Sequence, residues 1–174
     1  MKNLIFINGT AGVGKTSTSK ALLKLLPNCV MLDGDWCWYS DPWTITDETK
    51  AMVLDNMGVL LNNFLDCSAY DNVVFCWVMH EEWILEKVLA RLADAEYTLH
   101  KFSLICSEEA LTARLQRDID SGELDIGSHF IKVSKSRLPN FQTMNTIKID
   151  TSHITVTQCA EEIYRQINAI RGDI

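Results

Sequence analysis

Gly9-Thr10-Ala11-Gly12-Val13-Gly14-Lys15-Thr16 stands between an apolar run, Leu4-Ile5-Phe6-Ile7, and a segment of helical periodicity. Its match to GxxxxGK[ST] falls where the motif's mechanism needs it, after a strand and at the start of a helix. Glycines allow successive main-chain N–H groups to turn into one concavity. The helix that follows adds its positive N-terminal end, so the segment can cradle a polyphosphate. Lys15 is expected to reach the β- and γ-phosphates as a mobile charge and the Thr16 hydroxyl to ligate Mg²⁺, with Ser17 beside them. The plain alternative is a glycine turn with a solvated lysine; the complete motif in this setting favours the phosphate site.

Outward from this loop, apolar and β-branched runs recur at 3–8, 29–32, 72–78, 98–106 and 146–150. Helix-compatible segments at 15–26, 48–66, 82–93, 108–119 and 156–170 separate or follow them. Ser107 is a candidate cap for the fourth helix, and Thr155 with Gln158 forms a capping-box pattern for the last. Alternation of this kind predicts a parallel sheet whose strands are buried on both faces. The expected fold is α/β, a three-layer α/β/α doubly wound sandwich on five parallel strands, with right-handed crossovers and ligands at the carboxyl edge. Residues 120–139, polar and containing Gly122, Gly127, Lys132, Lys135 and Arg137, break the rhythm and suit a flap or lid.

With 174 residues, 47% of them hydrophobic, the chain fits a single domain with a continuous core. A net charge of −7 argues against wrapping a nucleic-acid backbone, which needs clustered Lys and Arg. The first apolar run is too short for a signal peptide and no later one could span a bilayer, so a cytoplasmic protein is expected. Six cysteines form no CxxC pair and read as buried thiols rather than zinc ligands or disulfides.

The second strand runs into Leu32-Asp33-Gly34-Asp35, which puts two carboxylates at the carboxyl edge. An acceptor hydroxyl needs a base within hydrogen-bond reach, and a magnesium ion needs a carboxylate nearby. Asp35 is assigned to the first task and Asp33 to the second; a solvated Asp-Gly turn is the competing reading. Trp36, Trp38, Tyr39 and Trp43 follow at once and could wall an acceptor pocket by stacking, or serve as core or hinge.

GTAGVGKT followed by LDGD on the second strand resembles the P-loop kinases of small metabolites, including gluconate, shikimate and adenylylsulfate kinases, over most of the chain. The tryptophan-rich stretch is also similar to bacterial proteins described as nucleotide kinases. The resemblance implies ATP and Mg²⁺ as cofactors, a small-molecule acceptor as partner, and a base role for Asp35. Adenylylsulfate kinases usually carry an arginine soon after DGD. Here Trp36-Cys37-Trp38-Tyr39 follows, which points to a less charged acceptor.

Arg114 and Arg117 share a face near the end of the fourth helix and lead into the 120–139 segment. Both are assigned to the transferring phosphoryl, where arginine stabilises developing charge, and Arg114 also to the nucleotide; an exposed pair answering nearby acids is the alternative. Thr151 and Ser152, after the fifth strand, are expected near the adenine. His80 is read as substrate-side or structural, and Arg137 as a further substrate contact. Asp55-Asn56-Met57-Gly58 matches a GTPase DxxG only formally, because it lies inside an amphipathic helix. The readings that remain are a kinase and, in another class, a P-loop ATPase or nucleotide-dependent switch.

Overall fold

The computed structural model describes residues 1–92, 96–122 and 128–171. Five parallel strands, β1 (Lys2–Asn8), β2 (Cys29–Asp33), β3 (Asn72–Cys76), β4 (Tyr97–Ile105) and β5 (Ile147–Asp150), form one sheet in the order β2-β3-β1-β4-β5. From β1 the chain fills one side of the sheet and then the other, so the order reverses at the carboxyl end of β1, where α/β sheets bind ligands.

Strand periodicity decides the layers. Leu4 and Phe6 of β1, with Val73 and Phe75 of β3, face α2 (Asp47–Asp66) and α3 (Glu82–Leu89). Ile5, Ile7, Val74 and Cys76 face α1 (Lys15–Leu25) and α7 (Val156–Arg171). The central strands are thus apolar on both faces, as the sequence leads one to expect, and the expected α/β/α sandwich is present. Each fully buried Leu, Ile or Phe contributes about 1.5–3 kcal/mol. The Phe6 and Phe75 rings lie 5.0 Å apart, tilted by 59°.

Caps fall where the sequence puts them. The Ser107 hydroxyl accepts from Ala110 N at the start of α4 (Glu108–Asp120). Thr155 and Gln158 bond reciprocally at the start of α7. Asp55 and Gly58 lie within α2, Asp55 exposed and paired with Arg91 at 2.7 Å and Gly58 buried, so the formal DxxG is a stretch of ordinary helix.

Three boundaries differ instructively. β3 ends at Cys76 rather than 78: Trp77 N still donates to Ile7 O at 3.2 Å, and the chain leaves the sheet after that bond. Within the expected flap, residues 123–127 lie outside the described residues, and the remainder forms α5 (Ser128–Ser136) and α6 (Leu138–Thr143), with Pro139 in the first turn of α6. Leu138, Phe130 and Ile131 pack on Leu111 and Leu115 of α4, giving the flap its own small core. The third helix, expected to reach residue 93, ends earlier, at Leu89 with Ala90 as its C-cap, and residues 90–92 form a turn; residue 93 itself lies outside the described residues. Among the described residues no helix is long and apolar enough to cross a membrane.

Candidate active site

β1 delivers the chain to Gly9, and the loop closes at Gly14, the N-cap of α1, with φ of 105°. Gly12 has φ of 80°, and a Cβ there would lie 2.4 Å from Leu115 Cδ2. The loop is therefore pinned beneath α4 at a position that only glycine fits. Gly12→Ala is expected to destabilise the fold by about 1–3 kcal/mol, through overpacking and a strained backbone, in urea denaturation. Unchanged stability would mean that α4 does not hold the loop.

Lys15 is nearly enclosed, and its Nζ donates to the loop's own Thr10 carbonyl at 3.0 Å. Burial pulls its pKa below the usual lysine range, the Arg137 charge adds to that, and Asp35 and Asp33 oppose it. An ammonium held by one neutral carbonyl in a desolvated place exchanges readily onto phosphate oxygens.

Asp33, at the end of β2, is buried and uses both oxygens: Oδ2 accepts from the Thr16 hydroxyl at 2.5 Å and Oδ1 from Asp35 N at 3.1 Å. The second bond caps a 3₁₀ turn over Gly34–Cys37 and turns Asp35 outward. Asp35 Oδ1 accepts from the Trp77 indole N–H at 3.0 Å. Although the Asp35 side chain reaches solvent, partial enclosure raises its pKa, as does the Asp33 charge; Lys15 and the indole N–H oppose the rise. Trp77 N donates to Ile7 O at 3.2 Å, so one residue fastens the acid to the strand that carries the phosphate loop. Sequence reading missed Trp77, which looks like one more strand residue in Phe75-Cys76-Trp77-Val78. Gly34 supplied the only signal: a Cβ there would lie 2.5 Å from Trp77 Cγ, and glycine between two acids hints at a close neighbour.

On the other flank of the loop lies a cavity of 610 Å³, lined by Gly12 to Gly14, Ser17, Arg117, Thr151 and Ser152 among others. Arg114 donates to the Val13 carbonyl at 3.2 Å, to the Thr151 hydroxyl at 2.9 Å and to the Thr151 carbonyl. It thereby ties the phosphate loop to the segment after β5. Ser152 accepts from Ser107 N at 2.9 Å and donates to Asp150 at 2.6 Å. The structure thus brings Arg114, Arg117, Thr151 and Ser152 to one cavity. The arginine whose charge reaches Lys15 is Arg137, just ahead of α6.

Arg137 also bears on His80, whose pKa is lowered by burial first and then by that guanidinium, with Glu81 opposing. The flap meets the loop through the Thr10 hydroxyl, which donates to the Ser134 carbonyl at 2.6 Å in a buried bond, and Lys135 pairs with Glu108 at 3.0 Å. Neither contact was legible in the sequence. In the tryptophan stretch, Trp38 stacks on Trp43 at 4.5 Å, Trp36 and Trp43 are more than half exposed, and Tyr39 is fully exposed. Asn56 of α2 donates to the Cys37 carbonyl at 3.2 Å and anchors the turn.

A phosphate loop at the carboxyl end of the central strand, with an acid on β2 bonded to its threonine, defines a P-loop nucleotide-binding fold. A family described as an AAA domain matches residues 5–127, and the chain belongs to that family. No curated protein matches it. Among solved structures it resembles the Deinococcus radiodurans tunicamycin resistance protein, at 22% identity over 96% of both chains with a TM-score of 0.67. It also resembles a gluconokinase from Sinorhizobium meliloti, at 17% identity over 98% of this chain and 97% of that one, with a TM-score of 0.65. Shikimate kinase from Acinetobacter baumannii is similar at 18% identity over 97% and 94%, with a TM-score of 0.64. At these identities the likeness is one of fold.

Proposed function

We propose that the chain is a phosphotransferase that moves the γ-phosphoryl group of ATP to a small-molecule acceptor. It acts as a single cytoplasmic domain over residues 1–174, with 120–139 as its lid. The observation that carries this reading is the pair of acids. Asp33 is spent on Thr16 and the turn, whereas Asp35 presents a carboxylate oxygen at the mouth of the loop with its other oxygen held by Trp77. The kinase folds of the gluconokinase and the shikimate kinase support it as analogy.

Hard oxygen donors suit Mg²⁺, and the Thr16 hydroxyl and Asp33 carboxylate, 2.5 Å apart, fit that ion together with phosphate oxygens and water. Bound there, the metal would neutralise charge on the transferring group. The main-chain amides of residues 12–16 hold the phosphates, and Lys15 moves from Thr10 O to the β- and γ-oxygens. Asp35 takes the proton of the acceptor hydroxyl as that oxygen bonds to the γ-phosphorus. The bond from this phosphorus to the β–γ bridging oxygen breaks, and ADP leaves with the electron pair. Arg137, whose charge acts on Lys15, is assigned a share of the charge that develops. Arg114 and Arg117, expected from the sequence at the transferring phosphoryl group, are assigned instead to the nucleoside end with Thr151 and Ser152, because both line the 610 Å³ cavity and the Arg114 guanidinium is engaged by Val13 O and Thr151.

The reading is tested by stabilising the protein with a non-hydrolysable ATP analogue and Mg²⁺, screening metabolites for further stabilisation, and following γ-phosphoryl transfer to each hit by mass spectrometry. Nucleotide binding with acceptor-independent hydrolysis alone would instead support an ATPase.

Trp77→Phe keeps a ring over Gly34 and removes the N–H donor. Because that donor favours the ionised carboxylate, its loss raises the Asp35 pKa further. The acid limb of kcat/KM should then move to higher pH, and an NMR titration of the Asp35 carboxyl should move with it. An unmoved titration would reduce Trp77 to packing.

A further inference from the structure

On the reading proposed above, we infer that Thr10 is a positioning residue for the transfer: its hydroxyl fastens the last turn of α5 to the phosphate loop and so fixes Arg137 against the γ-phosphate that Lys15 receives. Thr10 is fully buried, and both of its oxygens are engaged. The hydroxyl donates to the Ser134 carbonyl at 2.6 Å, and the carbonyl accepts from Lys15 Nζ at 3.0 Å. Ser134 is itself buried, in the last turn of α5, where a helix leaves four carbonyls without an intrahelical donor. The flap and the Lys15 ammonium are thus set by two oxygens of one loop residue.

Arg137 lies between two fixed points. Ser134 precedes it by close to one helical turn, and Leu138 follows it directly, buried against Leu111 and Leu115 of α4. Leu115 in turn leaves no room for a Cβ at Gly12, so this small core stands on the same loop that Thr10 belongs to. Phe141, in the same short helix as Leu138, is fully buried in the main core. Arg137 keeps helical dihedrals across the junction, with φ of −86° and ψ of −16°. Its backbone is therefore held on both sides against the phosphate loop, and its charge acts on Lys15. Valine at position 10 would keep the shape of threonine but could not donate. The Ser134 carbonyl would then be buried without that partner, a cost that outward movement of the turn relieves. Displacement of about 1 Å is enough to lose orientation at a transferring group.

The test titrates the intact chain by calorimetry with ADP and with a non-hydrolysable ATP analogue, both with Mg²⁺, a comparison that needs no acceptor and isolates the γ-phosphate. Thr10→Val is expected to weaken analogue binding about tenfold and ADP binding by less than about threefold. Thr10→Ser keeps the donor and should stay within about threefold of the natural chain for both ligands. Arg137→Ala should show the same selective loss as Thr10→Val. The double variant should lose no more than either alone, because both substitutions remove one contact. Analogue binding left unchanged by Thr10→Val, or weakened only as much as ADP binding, would reduce the bond to a structural one. A double variant weakened about a hundredfold would make the two residues independent. An Arg137→Ala variant that keeps the natural preference would take the arginine away from the γ-phosphate. Thr10→Ala replaces the valine variant if the latter does not fold, and failure of both to fold would make Thr10 a structural residue. Each of these results overturns the inference and leaves the phosphotransferase reading standing, as long as the natural chain binds the analogue. A natural chain that binds neither nucleotide is the separate result that removes that reading and the inference with it.

Discussion

Asp35→Asn is expected to lower kcat for phosphoryl transfer about 10²–10⁴-fold, the range a positioned general base supplies, while the Kd for a non-hydrolysable ATP analogue with Mg²⁺ stays within about threefold. Asn preserves shape and can still accept from Trp77 N–H, but it cannot take the acceptor's proton. The variant also carries a stability signature. In the folded protein the Asp35 pKa is raised, by partial enclosure and then by the Asp33 charge, so the folded state binds more protons than the unfolded chain across that interval. Stability contributed by this group therefore falls as pH rises from the ordinary carboxylate range through the raised folded value. Asn has no such dependence, so its Tm at pH 7–8 should equal or exceed that of the natural chain, with the difference vanishing in acid. Loss of transfer with Tm retained assigns the defect to chemistry. Transfer within threefold of the natural chain would remove Asp35 from the mechanism.

Lys15→Met should lower transfer about 10²–10³-fold or more and weaken nucleotide binding at least tenfold, because the charge lost is the one aimed at the β- and γ-phosphates. Burial lowers the Lys15 pKa in the folded state, so the unfolded chain binds the extra proton. The resulting penalty on stability is present in full below the lowered folded pKa and is relieved as pH rises toward the ordinary lysine range. Methionine fills similar volume without that penalty. The nucleotide-free variant should accordingly melt no lower than the natural chain at neutral pH, while it loses the stabilisation that Mg·ATP gives. A variant that melts earlier but still transfers phosphate would show that Lys15 is structural.

How far the sequence carries can be seen residue by residue. The loop at 9–16 was legible because its glycines, lysine and threonine sit at fixed spacing between a strand pattern and a helix pattern, and each element has one physical reason. The strands were legible because parallel strands buried on both faces read as unbroken apolar runs. Trp77 was not, since an indole in Val74-Phe75-Cys76-Trp77 has the same local signature whether it enters the core or turns toward a carboxylate; only the Ile7 carbonyl and the space above Gly34 decide. The placement of Arg114 was open for a related reason. Helical spacing put it on one face with Arg117 but could not say that this face meets Val13 and Thr151, contacts 101 and 37 residues away in sequence. The Thr10 to Ser134 bond spans 124 residues and has no local correlate at all.

The phosphate cradle is tested most directly by main-chain amide NMR of the intact chain titrated with a non-hydrolysable ATP analogue and Mg²⁺. The expected result is saturable one-to-one binding in which the amides of residues 12–16 move most and in concert, with smaller shifts at Thr151 and Ser152. Amides 12–16 that stay unmoved at saturating nucleotide, or the absence of saturable binding in a well-folded sample, would contradict the proposed activity at its root.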